Sequence, residues 1–307
     1  MDGLILVNKH QGCTSHDLII ELRNILNIQK IGHFGTLDPL ATGLMIIAVG
    51  KATRLSSFFL KADKTYAGRI RFGYSTDTYD SSGKPTSLEK KEWPAKNQIL
   101  EVMKKLEGEI NQIPPLFSAK KYKGKPLYKL ARKNKEFKLS PSRVFIRFFN
   151  IKKYHPPFLD FEVKCSSGTY IRSLAHDLGQ ILSCGAHLSE LTRTEAGTFK
   201  LSDAFSLEEI KKLMQKGKIK EQIIPLESLL PQFPKVILKE SGMALARNGN
   251  MVFPVNISKV VKQNYLQNSI PKEKELIFRL FNQEGKLLGL AKKEPAKNSL
   301  HPFLVFN

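Results

Sequence analysis

The stretch Gly32 to Gly43, GHFGTLDPLATG, constrains the fold more than any other part of this chain. Glycines at 32, 35 and 43, with Gly50 just beyond, punctuate a short run. Glycine admits positive φ and lets the backbone approach a ligand closely. One carboxylate, Asp38, stands among them and is followed by Pro39. Proline fixes its own φ and pushes the residue before it out of the helical region. Asp38 is therefore expected in an extended or turn conformation. The apolar run Leu44–Val49, LMIIAV, reads as a buried strand that anchors the loop on the core. Two readings of Asp38 stay open on these residues. Asp-Pro pairs commonly start turns, and a carboxylate on a stiff loop tip is also well placed for chemistry.

Upstream, Leu4–Val7 reads as a short strand, and Thr14-Ser15 as a helix cap with Asp17 in the first turn. Leu18, Ile19, Leu22, Ile25 and Leu26 then recur at helical spacing. Downstream, Gly50-Lys51-Ala52-Thr53 fails as a phosphate loop. Its first glycine would fall at Met45, and Ala52 replaces the hydroxyl residue. Residues 65–74 read as a strand, and 75–83, STDTYDSSG, as a polar turn. Asp77 and Asp80 are taken as turn residues rather than a metal site or carboxylate pair. Residues 99–106 and 207–214 read as helices, and 158–164 and part of 187–199 as strands. A helix through Leu174, Ala175, Leu178, Ile181 and Leu182 follows Tyr170 and Arg172. Taken alone, Arg172 reads most simply as a surface ion pair. Pro225, Pro231 and Pro234 mark a linker, and VIL, MVF, LIFRLF and FLVF beyond it suggest a small β-domain.

A length of 307 residues suggests roughly two domains. The net charge of +21 and pI near 9.8 point to a polyanionic partner. More than half of that charge is concentrated. Residues 118–153 hold 13 Lys and Arg against Glu136 alone, with aromatics interleaved. Clustered cations attract backbone phosphates by releasing counterions, and aromatic faces stack on unpaired bases. Lys120, Lys121, Lys123 and Lys125 share a short piece with Gly124 and Pro126, which argues for a loop rather than a helix. No run approaches the ~20 apolar residues of a spanning helix, and the N-terminal residues lack the pattern of a signal peptide. Neither a membrane nor export is therefore expected. The three cysteines form no C-x-x-C pair and suit a reducing cytoplasm. The seven histidines show no zinc spacing, so no metal is expected.

GHFGTLDPLATGLMIIAVGKATR resembles the active-site motif of bacterial tRNA pseudouridine-55 synthases, the B family of pseudouridine synthases. Four more segments resemble the family's motifs in the expected order: KTYAGRIRFGYSTDTYDSSG, PPLFSAKKYKGKPLYKLAR, CSSGTYIRSLAHDLG and HLSELTRTEAGTF. PKVILKESGMALARNGNMVF resembles, more loosely, an RNA-binding PUA domain.

The resemblance implies an α+β catalytic domain at about 1–231, a mixed, largely antiparallel sheet with flanking helices. A basic RNA-binding insertion is expected at about 114–142, and a PUA-like β-barrel at about 232–307. Uridine 55 of the tRNA T-loop would become pseudouridine, by a cytoplasmic monomer without cofactor or metal. Asp38 matches the catalytic aspartate and Arg172 its paired arginine. His33 matches a histidine that contacts RNA near the flipped nucleotide, Tyr66 the tyrosine that stacks on the base, and Tyr170 a tyrosine beside it. Leu191 matches an apolar residue against the uracil. Arg54 stands where many relatives carry lysine, which keeps the cation but changes donor geometry. Lys120, Lys121, Lys123 and Lys125 would hold the RNA backbone. Arg172 is expected to lower the Asp38 pKa and offset the cost of its burial.

Overall fold

The apolar run Leu44–Val49 lies within the strand Thr42–Val49, buried at every residue from Gly43 onward. A strand apolar on both faces must be covered on both, which favours an inner place in a sheet. The computed structural model describes residues 1–115, 121–122, 125–126, 140–261 and 276–306, with backbone only at 121–122 and 125–126. In chain order the first strands are β1 (Gly3–Lys9), β2 (Ile31–His33), β3 (Thr42–Val49), β4 (Lys64–Phe72) and β5 (Gly108–Gln112). There follow β6 (Lys121–Tyr122), β7 (Lys125–Pro126), β8 (Ser142–His155), β9 (Phe158–Cys165), β10 (Ala186–Ala196) and β11 (Phe199–Lys200). The last are β12 (Ile224–Pro225), β13 (Lys235–Leu238), β14 (Ile257–Val261), β15 (Ile277–Phe281), β16 (Leu287–Glu294) and β17 (Ser299–Val305). The helices are α1 (Ser15–Leu26), α2 (Ser56–Leu60), α3 (Lys96–Lys105), α4 (Ile171–Ile181), α5 (Leu207–Gln215) and α6 (Glu240–Arg247).

The chain divides into two compact units, Leu6–Ile47 with Leu55–Lys216, and Met1–Ile5 with Ala48–Arg54 and Gly217–Asn307. The larger unit is built on a sheet ordered β1-β3-β10-β4-β9-β8-β5, with β2 beside β3 and β11 beside β10. The sheet is mixed. β10 runs parallel to β3, whereas β10–β4, β4–β9, β9–β8 and β8–β5 are antiparallel. Helix α1 begins where its sequence signals place it. Thr14 and Asp17 form a reciprocal capping box, and Leu18, Ile19, Leu22 and Leu26 are buried along one face. The basic stretch is less uniform than its composition suggests. Its end is β8, a 14-residue strand whose alternate burial turns Val144 and Ile146 to the core.

In the smaller unit Gly3 and Leu4 pair with Pro225 and Ile224. A five-stranded sheet follows in the order β14-β13-β15-β16-β17. Val236, Leu238, Ala246, Leu280 and Leu288 pack in its core. Two sequence expectations change here. The segment MVF gives a single bridge, Val252 to Leu300, rather than a strand. Residues 240–247 form α6, which an all-β reading overlooked. Its Gly242 and Ala246 are small and buried, so the apolar stripe is faint in the sequence. Among the described residues this sheet does not close into a barrel.

The loop carrying Asp38 is pinned at both ends. Phe34 N–H donates to Ile46 O at 2.9 Å, and Ala41 N–H to Asp38 O at 3.0 Å. Gly43 then enters β3 at φ +101°, where an added Cβ would stand 2.5 Å from Arg193 O and 2.8 Å from Arg193 N. Only glycine fits that close approach of β3 to β10. Gly43→Ala is expected to destabilise the fold by about 2 kcal/mol or more, from backbone strain plus overlap with an immovable strand. A denaturant midpoint within error of wild type at unchanged slope would contradict this.

Candidate active site

Asp38 owes its position to its neighbours. Ser15, buried at the start of α1, clamps the main chain of Leu37. Its Oγ donates to Leu37 O and accepts from Leu37 N–H, each at 2.9 Å. On the other side Gly12 N–H donates to Pro39 O at 2.8 Å. The residue between has little freedom left, so its carboxylate is held in one place.

The pairing of β4 with β10 brings in the next group. Residues two apart on a strand share a face. Lys64 and Tyr66 therefore stand on one face of β4, and Leu191 and Arg193 on one face of β10. The register sets Tyr66 opposite Arg193 and Gly68 opposite Leu191. Register shifts between Leu188 and Glu190 and between Arg193 and Glu195 bracket this piece of β10. Such bulges re-aim side chains. Together with Asp38, the segment Ser167–Arg172 and Gly35, these side chains line a cavity of about 270 Å³.

Arg172, in the first turn of α4, reaches two carboxylates. Its Nε lies 2.9 Å from Asp38 Oδ2 and its Nη1 3.2 Å from Asp80 Oδ2. Nη1 also donates to Thr78 O at 3.2 Å. The side chains of Arg172 and Asp80 are 6% and 4% exposed, whereas that of Asp38 is 40% exposed. Asp38 thus presents its carboxylate to the cavity from a crowded floor. Burial pushes its carboxyl above the usual carboxylate range, and the charge of Asp80 pushes the same way. Arg172 and, more weakly, Lys9 pull it down without reversing the shift. The expected lowering by Arg172 is therefore present, but desolvation outweighs it. One guanidinium divided between two carboxylates cannot neutralise both.

Asp80 belongs to this cluster of charges, which the reading of it as a turn residue missed. It does cap its turn, since Oδ1 accepts from Thr78 Oγ1 at 2.7 Å and from Ser82 N–H at 3.0 Å. Its second oxygen does the other work, and its partner lies 92 residues away. Nothing local in STDTYDSSG signals that pairing. Two buried cations were missed as well. Lys9 Nζ donates to His10 O at 3.0 Å and Cys13 O at 2.8 Å, close enough to Asp38 to feel its charge. Arg193, 1% exposed, donates through Nε to Leu44 O at 2.7 Å and through Nη2 to Gly35 O at 3.1 Å. It ties both sides of the Asp38 loop to β10.

Tyr66 and Leu191 are 7% and 8% exposed and line the cavity. Burial raises the Tyr66 phenol, with Arg193 opposing the shift. Lys64 donates to Leu60 O and Ala62 O at 2.8 and 2.7 Å, and burial with the Arg193 charge lowers it to about 8. Tyr170 lines the cavity from the N-cap of α4. His33, at the end of β2, is not among the lining residues, and its Nδ1 is buried without a hydrogen-bond partner among the described residues. Burial lowers its pKa, and the charges of Arg193 and His16 lower it further. Arg54 also stands apart from the lining set, and its guanidinium donates to the Val305 carbonyl. Lys120 and Lys123 lie outside the described residues. Lys121 and Lys125 lie in the paired strands β6 and β7, with their side chains outside the described residues. Among the described residues no cluster of His, Cys, Asp and Glu could hold a metal ion.

Known proteins match this chain over most of its length. Residues 23–171 match the family described as TruB family pseudouridylate synthase (N terminal domain). Residues 172–231 match the tRNA pseudouridylate synthase B C-terminal domain. The tRNA pseudouridine synthase B of Solibacter usitatus (strain Ellin6076) is 42% identical over 81% of this chain and 85% of its own length. That of Caldanaerobacter subterraneus subsp. tengcongensis is 37% identical over 97% of both chains. A solved structure of an H/ACA RNP bound to a substrate RNA containing 2′-deoxyuridine superposes with a TM-score of 0.72 at 25% identity. It covers 99% of this chain and 85% of that one. The Cbf5-Nop10-Gar1 complex gives 0.71 at 26% identity, covering 99% of this chain and 85% of that one. The two family models together with relatives 42% and 37% identical over most of the chain place it in the TruB family of pseudouridylate synthases.

Proposed function

We propose that this chain converts uridine 55 in the T-loop of tRNA to pseudouridine, with Asp38 as nucleophile or base. The observation that carries this reading is the Asp38–Arg172 contact of 2.9 Å at the wall of a cavity that also holds Tyr66 and Leu191. The isomerisation breaks the N-glycosidic bond, turns the uracil and joins its C5 to the sugar. Atoms and electrons balance without a redox partner. The work for the protein is to extrude the base, hold it and present an ionised carboxylate. A uridine stacked in folded RNA must leave the stack before Asp38 reaches it. Tyr66 then offers a ring face and Leu191 an apolar one, while Tyr170 stands beside the base. Among the lining residues Lys64, Arg172 and Arg193 outnumber the single carboxylate, which suits a polyanionic substrate.

The RNA is held mainly outside the cavity. The basic insertion at about 114–142 takes backbone phosphates, and residues 232–307 act as a PUA-like RNA-binding module. His33 and Arg54 contact the RNA near the extruded nucleotide. The protein works as a monomer in the cytoplasm.

Incubation with unmodified tRNA, followed by mass spectrometry with pseudouridine-specific labelling, tests the reading. One labelled position in the T-loop is expected, with no free uracil. Free uracil would make the protein a hydrolytic N-glycosidase, and binding without product would make it a non-catalytic RNA-binding protein. A second measurement tests the insertion. Replacing Lys120, Lys121, Lys123 and Lys125 together by glutamine is expected to weaken binding to every tRNA alike. The log–log salt slope should flatten by about 1 for each true phosphate contact. Parallel lines of equal height would remove these lysines from the RNA surface.

A further inference from the structure

The two groups of the active site that come from α4, Tyr170 and Arg172, are held by a residue in none of the roles above. Gln112 ends β5 and is 1% exposed. Its side-chain amide grips the main chain of Tyr170 from both directions. Oε1 accepts from Tyr170 N–H at 2.7 Å, and Nε2 donates to Tyr170 O at 3.0 Å. The amide O/N assignment is fixed by this pairing, because an N–H needs an acceptor and a carbonyl needs a donor. The next residue adds a second tie, as Ser173 Oγ donates to Ile113 O at 2.9 Å. Residues 112 and 113 thus hold residues 170 and 173, on either side of Arg172.

The helix needs such a clasp. Tyr170 is the N-cap of α4 at φ −99° and ψ 108°, and no side-chain cap satisfies the first turn. The opening N–H groups of a helix lack internal partners, and phenol is a poor substitute for Ser, Thr, Asp or Asn in this position. Without Gln112 the Tyr170 N–H would lose the partner seen here, and the start of α4 could swing. Arg172 is two residues on, and its Nε must stay 2.9 Å from Asp38. β5, which ends at Gln112, leads directly into Pro114-Pro115 and the basic stretch.

We infer that Gln112 is a positioning residue for the proposed isomerisation: its amide clasp on Tyr170 sets the register of α4, and so places Arg172 against Asp38. The inference rests on the proposed function for its kinetic readout and on the ion pair alone for its second readout.

The experiment compares wild type with Gln112→Met, which keeps length and removes both hydrogen bonds, after folding is checked by circular dichroism and melting. At saturating tRNA the single-turnover rate is expected to fall about a hundredfold, the scale of a 1 Å misplacement. KM should change less than about threefold, since phosphate contacts dominate binding. The acid limb of the pH–rate profile should move to higher pH, because a displaced Arg172 no longer lowers the Asp38 carboxyl. The second readout needs no substrate. The Asp38 carboxyl, labelled with ¹³C and assigned through Asp38→Asn, should titrate at higher pH in Gln112→Met than in wild type. Should the methionine variant not fold, Gln112→Asn serves. It keeps a neutral amide but is one methylene too short to hold both main-chain groups of Tyr170, and is expected to shift both readouts the same way. A residue that only stabilises the fold would lower the melting temperature and leave rate, profile and titration unmoved. That result overturns the clasp. A wild type that makes no pseudouridine overturns the function reading instead, and the titration still decides the clasp.

Discussion

Asp38→Asn is expected to abolish pseudouridine formation while tRNA binding survives. The substitution keeps the shape of the side chain and removes the only carboxylate among the described residues that line the cavity. Losing the central nucleophile of an enzyme can cost on the order of a million-fold in rate. No product should be seen in a discontinuous assay that follows the wild type for many turnovers. Affinity should stay within about tenfold, because phosphate contacts elsewhere supply most of it. Near-normal turnover by the asparagine variant would sink the assignment. The same substitution has a stability signature. The folded-state pKa of Asp38 is raised, so its contribution is fully present below the unfolded value of about 3.9 and is lost as pH rises through the folded value. An asparagine does not titrate. The melting temperature of the variant should therefore gain on that of wild type as pH rises above about 4. A difference that is flat with pH would mean that the carboxyl is not desolvated.

The parts of this molecule that were legible in advance are those whose cause is local. Thr14 with Asp17 signals a capped helix start within four residues, and Leu44–Val49 signals a buried strand by composition alone. Asp38 was legible as a residue on a stiff turn because Pro39 follows it. What stayed hidden depends on pairing across the chain. The oxygen that binds Asp80 to Arg172, the guanidinium of Arg193 beneath the Asp38 loop and the amide of Gln112 on Tyr170 each act over a long separation. Composition misled where it averaged over unlike pieces. The stretch 118–153 is uniformly basic, yet it ends in β8, whose alternate residues face the core. The helix α6 escaped notice for the opposite reason, since its buried positions are glycine and alanine. The sign of the Asp38 shift was missed because the arginine was expected to offset the cost of burial, whereas desolvation outweighs it and Asp80 adds to the rise.

That second carboxylate makes Arg172→Met the more informative of the two large losses. Methionine fills the space of the guanidinium stem and leaves Asp38 and Asp80 without their shared cation. The two contacts do not weigh alike. The Arg172–Asp80 pair is closed off from water, whereas Asp38 is 40% exposed and its pairing is partly screened. The stability cost therefore comes mainly from Asp80, on the scale of about 3–5 kcal/mol for breaking a buried pair. Asp80→Asn combined with Arg172→Met should recover much of it, because no charge is then left buried. Activity should not recover, since Asp38 has still lost its partner. Its carboxyl pKa, already above the ordinary range, rises further once the lowering influence of Arg172 is gone. A smaller fraction of Asp38 is ionised at any given pH, so the acid limb of the rate profile moves to higher pH. Rates should fall about a hundredfold or more even on the plateau, because orientation is lost together with charge. Arg172→Lys separates the two effects. A lysine keeps a positive charge near Asp38 but is a point donor and cannot span two carboxylates as a planar fork does. It should restore the acid limb towards wild type while leaving the plateau rate low. An acid limb that stays put in the methionine variant, with chemistry rate-limiting, would mean that Arg172 serves Asp80 and the fold rather than the carboxylate that reacts.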